Sequence, residues 1–237
     1  MLKKLVSMFK SHDAPNKKSV QTTNKVKTSG GSKPEVQPTR IGELGEYKIN
    51  IQLDQLPREC MYLSDLMIAN TKSRTGYSQI DHVVITPQGL FVIETKNYTG
   101  EIKGKREEKT WTVSNRFRMY NPFMQNYGHI QAIKGYLPKY KEIRFISLVS
   151  FTMRCRFSVD PELRKIQSDD LIVYDVELSE YIQRKMNRIQ VEKLDKELSE
   201  SDIQTIYNSL LEVNITDPKV RAEHVEKAGN SKKTKQQ

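Results

Sequence analysis

Two short stretches carry residue types able to do phosphoryl chemistry: Gln79-Ile80-Asp81-His82 and, one turn later, Glu94-Thr95-Lys96. Carboxylates such as Asp81 and Glu94 are hard oxygen donors that can share a divalent cation such as Mg²⁺. Beside a phosphate, that cation polarises a phosphoryl oxygen and lowers the pKa of a bound water. Strand side chains alternate, so Lys96 shares a face with Glu94. From there it would steady developing negative charge or orient the water. The competing reading is a set of ordinary exposed strand charges, and the flanking residues argue against it. Leu90-Phe91-Val92-Ile93 runs straight into Glu94, and four consecutive apolar residues read as a strand buried on both faces. A charge at the end of such a strand is costly unless paired or bound to something.

The elements that must position these residues are legible around them. Residues 78–86 and 90–97 are Val/Ile-rich strands joined through Thr86-Pro87-Gln88-Gly89, a Pro-then-Gly turn signal. If Ile85 pairs with Leu90, then Val83 faces Val92 and Asp81 faces Glu94, with Cβ atoms about 4.5–5.5 Å apart. A one-residue slip would move Asp81 to the other side of the sheet. Upstream, Ile41, Leu44, Tyr47 and Ile51 form a helical stripe, with Glu43, Glu46 and Asn50 on another side, and Pro57 ends the segment. Residues 61–68 alternate as a strand.

Downstream, Gly100–Gly104 and Trp111–Val113 read as strands that extend the same sheet. Asn121-Pro122 opens a helix, with Asn as cap and Pro suited to the first turn. Gln125 and His129 are four apart on that helix and share a face. A capped amphipathic helix accounts for both, and so does a place at the site; spacing does not choose. Residues 145–151 and 171–176 read as further strands, and 178–190 and 199–212 as helices. Around the loop, Lys103, Lys105, Arg106, Lys109, Arg116 and Arg118 would make a phosphate-contacting rim. Glu101, Glu107 and Glu108 interleave with them, which equally describes a mixed solvated surface.

Composition bounds the partners. The 237 residues carry a net charge of +10. Residues 1–40 hold nine Lys or Arg against two Asp or Glu, residues 221–237 five against two, and 41–220 twenty-five of each. The basicity therefore sits in the tails, and an isoelectric point near 9.4 is no argument that the folded part grips nucleic acid. Two cysteines, Cys60 and Cys155, without metal-ligand spacing point to a reducing, cytoplasmic setting and to neither a disulfide framework nor a zinc site. Residues 1–10 read as a short amphipathic segment flanked by lysines. It would serve as a weak membrane-surface or protein contact, or as a frayed helix. Residues 11–38 read as a disordered basic linker and 227–237 as a basic disordered tail.

Several pieces in order resemble a known family. Gly42-x-x-Gly45-Glu46, Gln79-Ile-Asp81-His82, Gly89-Leu-Phe-Val-Ile-Glu94-Thr-Lys96-Asn97, Gly100-x-Ile-x-Gly104, Trp111 and Asn121-Pro122-x-x-Gln125 are similar to the NERD (nuclease-related) domain. That domain is a proposed branch of the PD-(D/E)xK restriction-endonuclease-like superfamily. The "PD" proline is absent, Ile80 standing before Asp81; the superfamily tolerates that loss. The resemblance implies an α/β fold over 39–226. Its core, 39–151, would be an α-β-β-β-α-β arrangement with a mixed central sheet, followed by C-terminal helices. It implies Glu46, Asp81 and Glu94 as metal ligands, Lys96 as the catalytic lysine and Gln125 as an auxiliary polar residue. Glu43 stands close enough to Glu46 to compete for the role of helix acid. The expected activity is Mg²⁺- or Mn²⁺-dependent hydrolysis of nucleic-acid phosphodiesters, with DNA as substrate. The alternative is a non-catalytic nucleic-acid or protein-binding module on the same scaffold, tethered by its N-terminal segment.

Overall fold

A computed structural model describes residues 47–192 and 197–233, all within the compact unit Val36–Gln237. The segment 1–10, the linker 11–38, and Gly42, Glu43, Gly45 and Glu46 lie outside the described residues. In chain order the elements begin with α1 (47–53), β1 (Met61–Ala69), β2 (Tyr77–Thr86), β3 (Gly89–Lys96), β4 (Gly100–Gly104), β5 (Thr110–Val113) and β6 (Phe117–Tyr120). They continue with α2 (Pro122–Tyr136), β7 (Phe145–Phe151), β8 (Cys155–Val159), β9 (Asp170–Tyr174), α3 (Leu178–Glu192), α4 (Glu200–Glu212) and α5 (Pro218–Lys233).

The Pro87–Gly89 turn sets the register. Ile85 pairs with Leu90, Val83 with Val92 and His82 with Ile93. Gly89 has φ +133, and a Cβ there would lie 2.4 Å from the Arg144 carbonyl oxygen, so only glycine fits. A five-stranded mixed sheet results, in the order β1-β2-β3-β7-β9, with β3, β7 and β9 parallel. The sheet is covered on both faces, which is why β3 is apolar from Leu90 to Ile93. Phe91 and Ile93 pack with Ile49 and Leu53 of α1 and with Leu178, Ile182 and Met186 of α3. Leu90 and Val92 pack with Ile133 of α2 and with Ile203, Ile206 and Leu210 of α4. Each fully buried side chain of this kind is worth about 1.5–3 kcal/mol relative to exposure.

Two expectations change. The strands β4 and β5 do not extend the central sheet; with β6 and β8 they form a separate four-stranded sheet in the order β6-β5-β4-β8. The cause is that both edges of β3 are taken: β2 covers one, and β7 pairs along the other as far as Lys96 with Phe151. The chain therefore leaves the sheet after Lys96 and restarts at Gly100, φ +98. The second sheet packs Ile102, Trp111, Val113 and Met119 against Phe123, Val149, Phe151 and Ile172. Gly104 matters here, since a Cβ would come 2.3 Å from the Trp111 ring.

In α1, Tyr47 and Ile51 are 64% and 44% exposed, whereas Ile49 and Leu53 are buried. Apolar residues at i, i+4 occur on both sides of this helix, and the sheet contact selects the other pair. At the far end α5 runs on through Lys233, into the stretch read as a tail from Lys227. Among the described residues, no helix is long and apolar enough to cross a membrane.

One irregularity sits beside the site. In β1, Ser64 pairs with His82 and Leu66 with Ile80, and the intervening Asp65 and Asp81 are skipped. Asp65 has φ 53. Leu63 and Leu66 enter the same core, as do Ile80 and Val83, so the inward alternation slips by one residue on both strands at once.

Candidate active site

Glu94 and Lys96 end β3 on the side of Leu90 and Val92, which places them under α2. Two asparagines fix that helix. Asn121 caps it, its Oδ1 accepting from Phe123 N at 2.9 Å. The Asn121 amide donates to the carbonyls of Arg106 and Glu108 at 2.8 and 2.7 Å, which ties the β4–β5 loop to the cap. Asn126, fully buried, donates to Val92 O at 3.0 Å and Ser147 Oγ at 3.1 Å, riveting α2 to β3 and β7. Spacing does not single out Asn126. The one signal for it in the sequence is a polar residue interrupting the inward line of Phe123, Ile130 and Ile133.

Four polar side chains then close a ring. The Lys96 ammonium donates to Glu94 Oε1 at 2.5 Å and to Gln125 Oε1 at 3.1 Å. Gln125 Nε2 lies 3.5 Å from His129 Nε2, and that nitrogen is 3.5 Å from Glu94 Oε2. Glu94 is 3% exposed and His129 8%. Burial by itself would raise the Glu94 carboxyl, but the Lys96 ammonium and His129 outweigh it and hold the group below its ordinary value. Burial likewise opposes the Lys96 charge, and Glu94 more than compensates, so the ammonium titrates above its ordinary value. The structure thus brings Glu94, Lys96 and Gln125 together and adds His129 to them.

Asp81 lies at the rim of this ring. The β2–β3 pairing ends at His82 with Ile93. One step beyond, the Asp81 carboxylate itself accepts the Thr95 N–H at 2.6 Å. A side chain takes up the ladder where the strand irregularity withdraws the backbone. Asp81 also contributes to the field that holds Lys96 charged. Its sequence neighbours face elsewhere. His82 Nε2 lies 3.1 Å from Asn50 Oδ1 on the α1 side, and burial pulls its pKa down to about 4. Gln79 donates to Asp65 at 2.8 Å. Glu46, the fifth expected site residue, is outside the described residues.

Among the described residues, no group of three His, Cys, Asp or Glu side chains is gathered closely enough to hold a metal ion. The donor types nonetheless fit a hard divalent cation. Glu94 and Asp81 supply carboxylate oxygens, the donor type such a cation takes, and Glu94 Oε2 is buried with His129 Nε2 at 3.5 Å beside it.

Residues 41–152 match the model of the nuclease-related domain. An uncharacterized Bacillus anthracis protein is 29% identical over 194 residues, covering 79% of this chain and 84% of that protein. No solved structure matches. The matched span runs through the α1 segment, the β2–β3 hairpin, the second sheet and α2 to the end of β7, and every described residue of the polar ring falls inside it. The chain therefore carries a restriction-endonuclease-like NERD, or nuclease-related, domain over residues 41–152.

Proposed function

We propose that this domain hydrolyses phosphodiester bonds of DNA with Mg²⁺ or Mn²⁺ held by Asp81, Glu94 and Glu46. The observation that carries the reading is the convergence of Glu94, Lys96 and Gln125 from two elements at the end of β3, with the Glu94 carboxylate buried. When bound, the cation supplies Lewis acidity at a phosphoryl oxygen and a more acidic water. The chain's own residues do the rest. Lys96 sets a positive charge against the non-bridging oxygens as water adds to phosphorus and the ester oxygen departs. Gln125 accepts from Lys96 and fixes where that ammonium points. Asp81, anchored on the Thr95 N–H, presents its carboxylate at the mouth of the ring.

The outer face of the second sheet supports a nucleic-acid partner. Lys103, Thr112 and Arg118 form one row across β4, β5 and β6, continued by Ser158 on β8, while Arg156 stands opposite Glu101 and pairs with it. Several charges of the interleaved run are engaged locally: Arg106 pairs with Asp170, and Glu108 accepts the Lys105 N–H at 3.0 Å. The row left facing water is basic and suits a phosphate backbone. We place the protein in the cytoplasm, where thiols stay reduced. Cys60 and Cys155 are free, and burial pushes them up to about 12 and about 11.

The test is plasmid nicking with added Mg²⁺ or Mn²⁺, comparing the wild-type chain with Asp81→Asn. The substitution keeps an acceptor for Thr95 N–H and removes the charge. Cleavage should fall by at least about a hundredfold, given that several kcal/mol of charge stabilisation are at stake. Metal-dependent nicking that persists in Asp81→Asn rejects the assignment. The second reading, a binding module without chemistry, draws on the engagement of Glu94 Oε1 by Lys96. Tight DNA binding with no nicking under either metal would favour it.

A further inference from the structure

Past the end of β3 lies a cavity of about 470 Å³, lined by Gly100, Glu101, Ser114, Asn115, Arg154 and Arg156. Two hydrogen bonds tie its wall to the Lys96 segment. Thr152 N donates to Lys96 O at 3.3 Å. Arg154 Nη2, two residues on, donates to Oδ1 of Asn97, the neighbour of Lys96. Asn97 Oδ1 also accepts from Thr152 Oγ1 at 3.5 Å, so its carbonyl is turned toward both donors. The other two charges of the wall, Arg156 and Glu101, pair with one another at 3.9 Å. Arg154 is therefore held by a neutral amide, with no ion pair among the described residues, and the cavity keeps a net positive charge. The β5–β6 turn adds neutral polar groups. Ser114 and Asn115 are left-handed, with φ 52 and 55, a conformation that glycine takes at less cost. In its place stand a hydroxyl and an amide. Gly100 makes room for them, since a Cβ there would collide with Ser114 Oγ.

We infer that this cavity is a subsite for a backbone phosphate of the nucleic-acid strand that lies across Lys96, with Arg154 binding the phosphate and Asn97 positioning Arg154. The inference rests on the reading that a nucleic-acid strand occupies the Lys96 site. The chemistry of the guanidinium fits, because its planar fork matches two phosphate oxygens and carries donors beyond the one that Asn97 takes. Lys96 and Gly100 are four residues apart, at most about 14 Å, which a strand spans in about four nucleotide steps. Continuity favours a strand over a small anion. On β4, Glu101 at the cavity and Lys103 on the basic row are two apart and share a face, and Arg156 and Ser158 stand opposite them on β8. A backbone leaving Lys96 would cross the cavity and continue onto the row of Lys103, Thr112 and Arg118.

Anisotropy of a fluorescein-labelled DNA duplex, measured with the full chain in chelator, tests the subsite apart from cleavage. Arg154→Gln should weaken binding at least about tenfold and shrink the slope of log affinity against log salt by about 0.9. Arg184→Gln, on α3 across the sheet from α2, should change neither. Asn97→Ala should cost less than Arg154→Gln, and nothing further in the Arg154→Gln background, as a positioning residue requires. Amide exchange in the wild type needs no variant: at saturating duplex it should slow across Gly100–Glu101 and Ser114–Asn115. Equal affinity and slope in a folded Arg154→Gln overturns the inference, and so does unchanged exchange across both segments. Slowing there by inorganic phosphate alone, with none by duplex, assigns the cavity to a free anion and also overturns it. Arg154-dependent binding by a chain that nicks nothing under either metal keeps the subsite and removes the hydrolytic reading. A chain that binds no duplex removes both.

Discussion

Arg221 of α5 holds Asp65 from two sides, donating to its carboxylate Oδ2 at 2.5 Å and to its backbone carbonyl at 2.8 Å. Asp65 is the left-handed residue of β1 that sits where Asp81 is skipped across the ladder. The same C-terminal segment binds the strand edge again, with Ile215 N donating to Met67 O and Asn214 Oδ1 accepting from Met67 N. A helix outside the span matched to the family thus braces the irregularity beside the site.

Arg221→Ala should therefore lower the melting temperature by roughly 2–4 °C, the shift of about 1 kcal/mol in a domain of this size. The Asp65 carboxylate is half exposed, so most of the effect comes from the hydrogen bond to its carbonyl. Hydrogen exchange at Ile80 to His82 should accelerate in the variant. Unchanged exchange there would show that α5 does not brace the strand.

The Lys96–Glu94 pair is buried on both sides, at 18% and 4% side-chain exposure. Breaking such a pair strands a charge, which costs on the order of 3 kcal/mol. Lys96→Met alone should drop the melting temperature by roughly 6–12 °C, while Glu94→Gln with Lys96→Met should recover most of it. Loss of cleavage in Lys96→Met is thus interpretable only beside its melt. A double variant no more stable than Lys96→Met would refute the coupling.

Acid stability should depend on Glu177. Its carboxylate takes a two-pronged contact from Arg164, at 2.8 and 3.1 Å, and the Tyr174 N–H at 2.9 Å. Burial would raise it, but these donors hold it below the ordinary value. A carboxyl depressed in the folded state stabilises the protein above its unfolded pKa, and that stabilisation is lost as pH falls through the folded value. Denaturant midpoints of the wild type should therefore decline as pH drops below about 4.5, the ordinary value, and Glu177→Gln should flatten that decline. An identical acid limb in the variant would remove Glu177 from the account.

Lys103→Glu with Arg118→Glu should weaken binding of a fluorescein-labelled DNA duplex, measured by anisotropy in chelator. The slope of log affinity against log salt should shrink by about 2, since each phosphate that a side chain neutralises accounts for about 0.9 of it. An unaltered slope would return this face to ordinary solvated surface.

Which side of each element faces the core separates what local pattern can say from what it cannot. The hairpin register from Thr86–Gly89 to His82–Ile93 was legible because strand alternation and a turn demanding glycine at position 89 favour one pairing. The expected Asp81–Glu94 pair does not form: the ladder ends at His82, and the Asp81 carboxylate takes the Thr95 N–H instead. The helix at 122, its Asn121 cap and the joint position of Glu94 and Lys96 follow from equally local rules. The second sheet was not legible, because whether β4 pairs with β3 depends on β7, more than forty residues further along the chain, having already occupied that edge. For α1 the sequence offers two apolar stripes, and contact with Phe91 and Val84 chooses between them.

The sequence by itself determined which residues can do chemistry, since residue type and spacing along one strand are local properties. Tertiary structure alone decided how those residues meet. It brought His129 into the ring and tied Asp81 to Thr95. It turned His82 away from both and set an Arg221 brace behind them. Each of these contacts joins elements distant in sequence, and their geometry comes from packing, which no local period encodes.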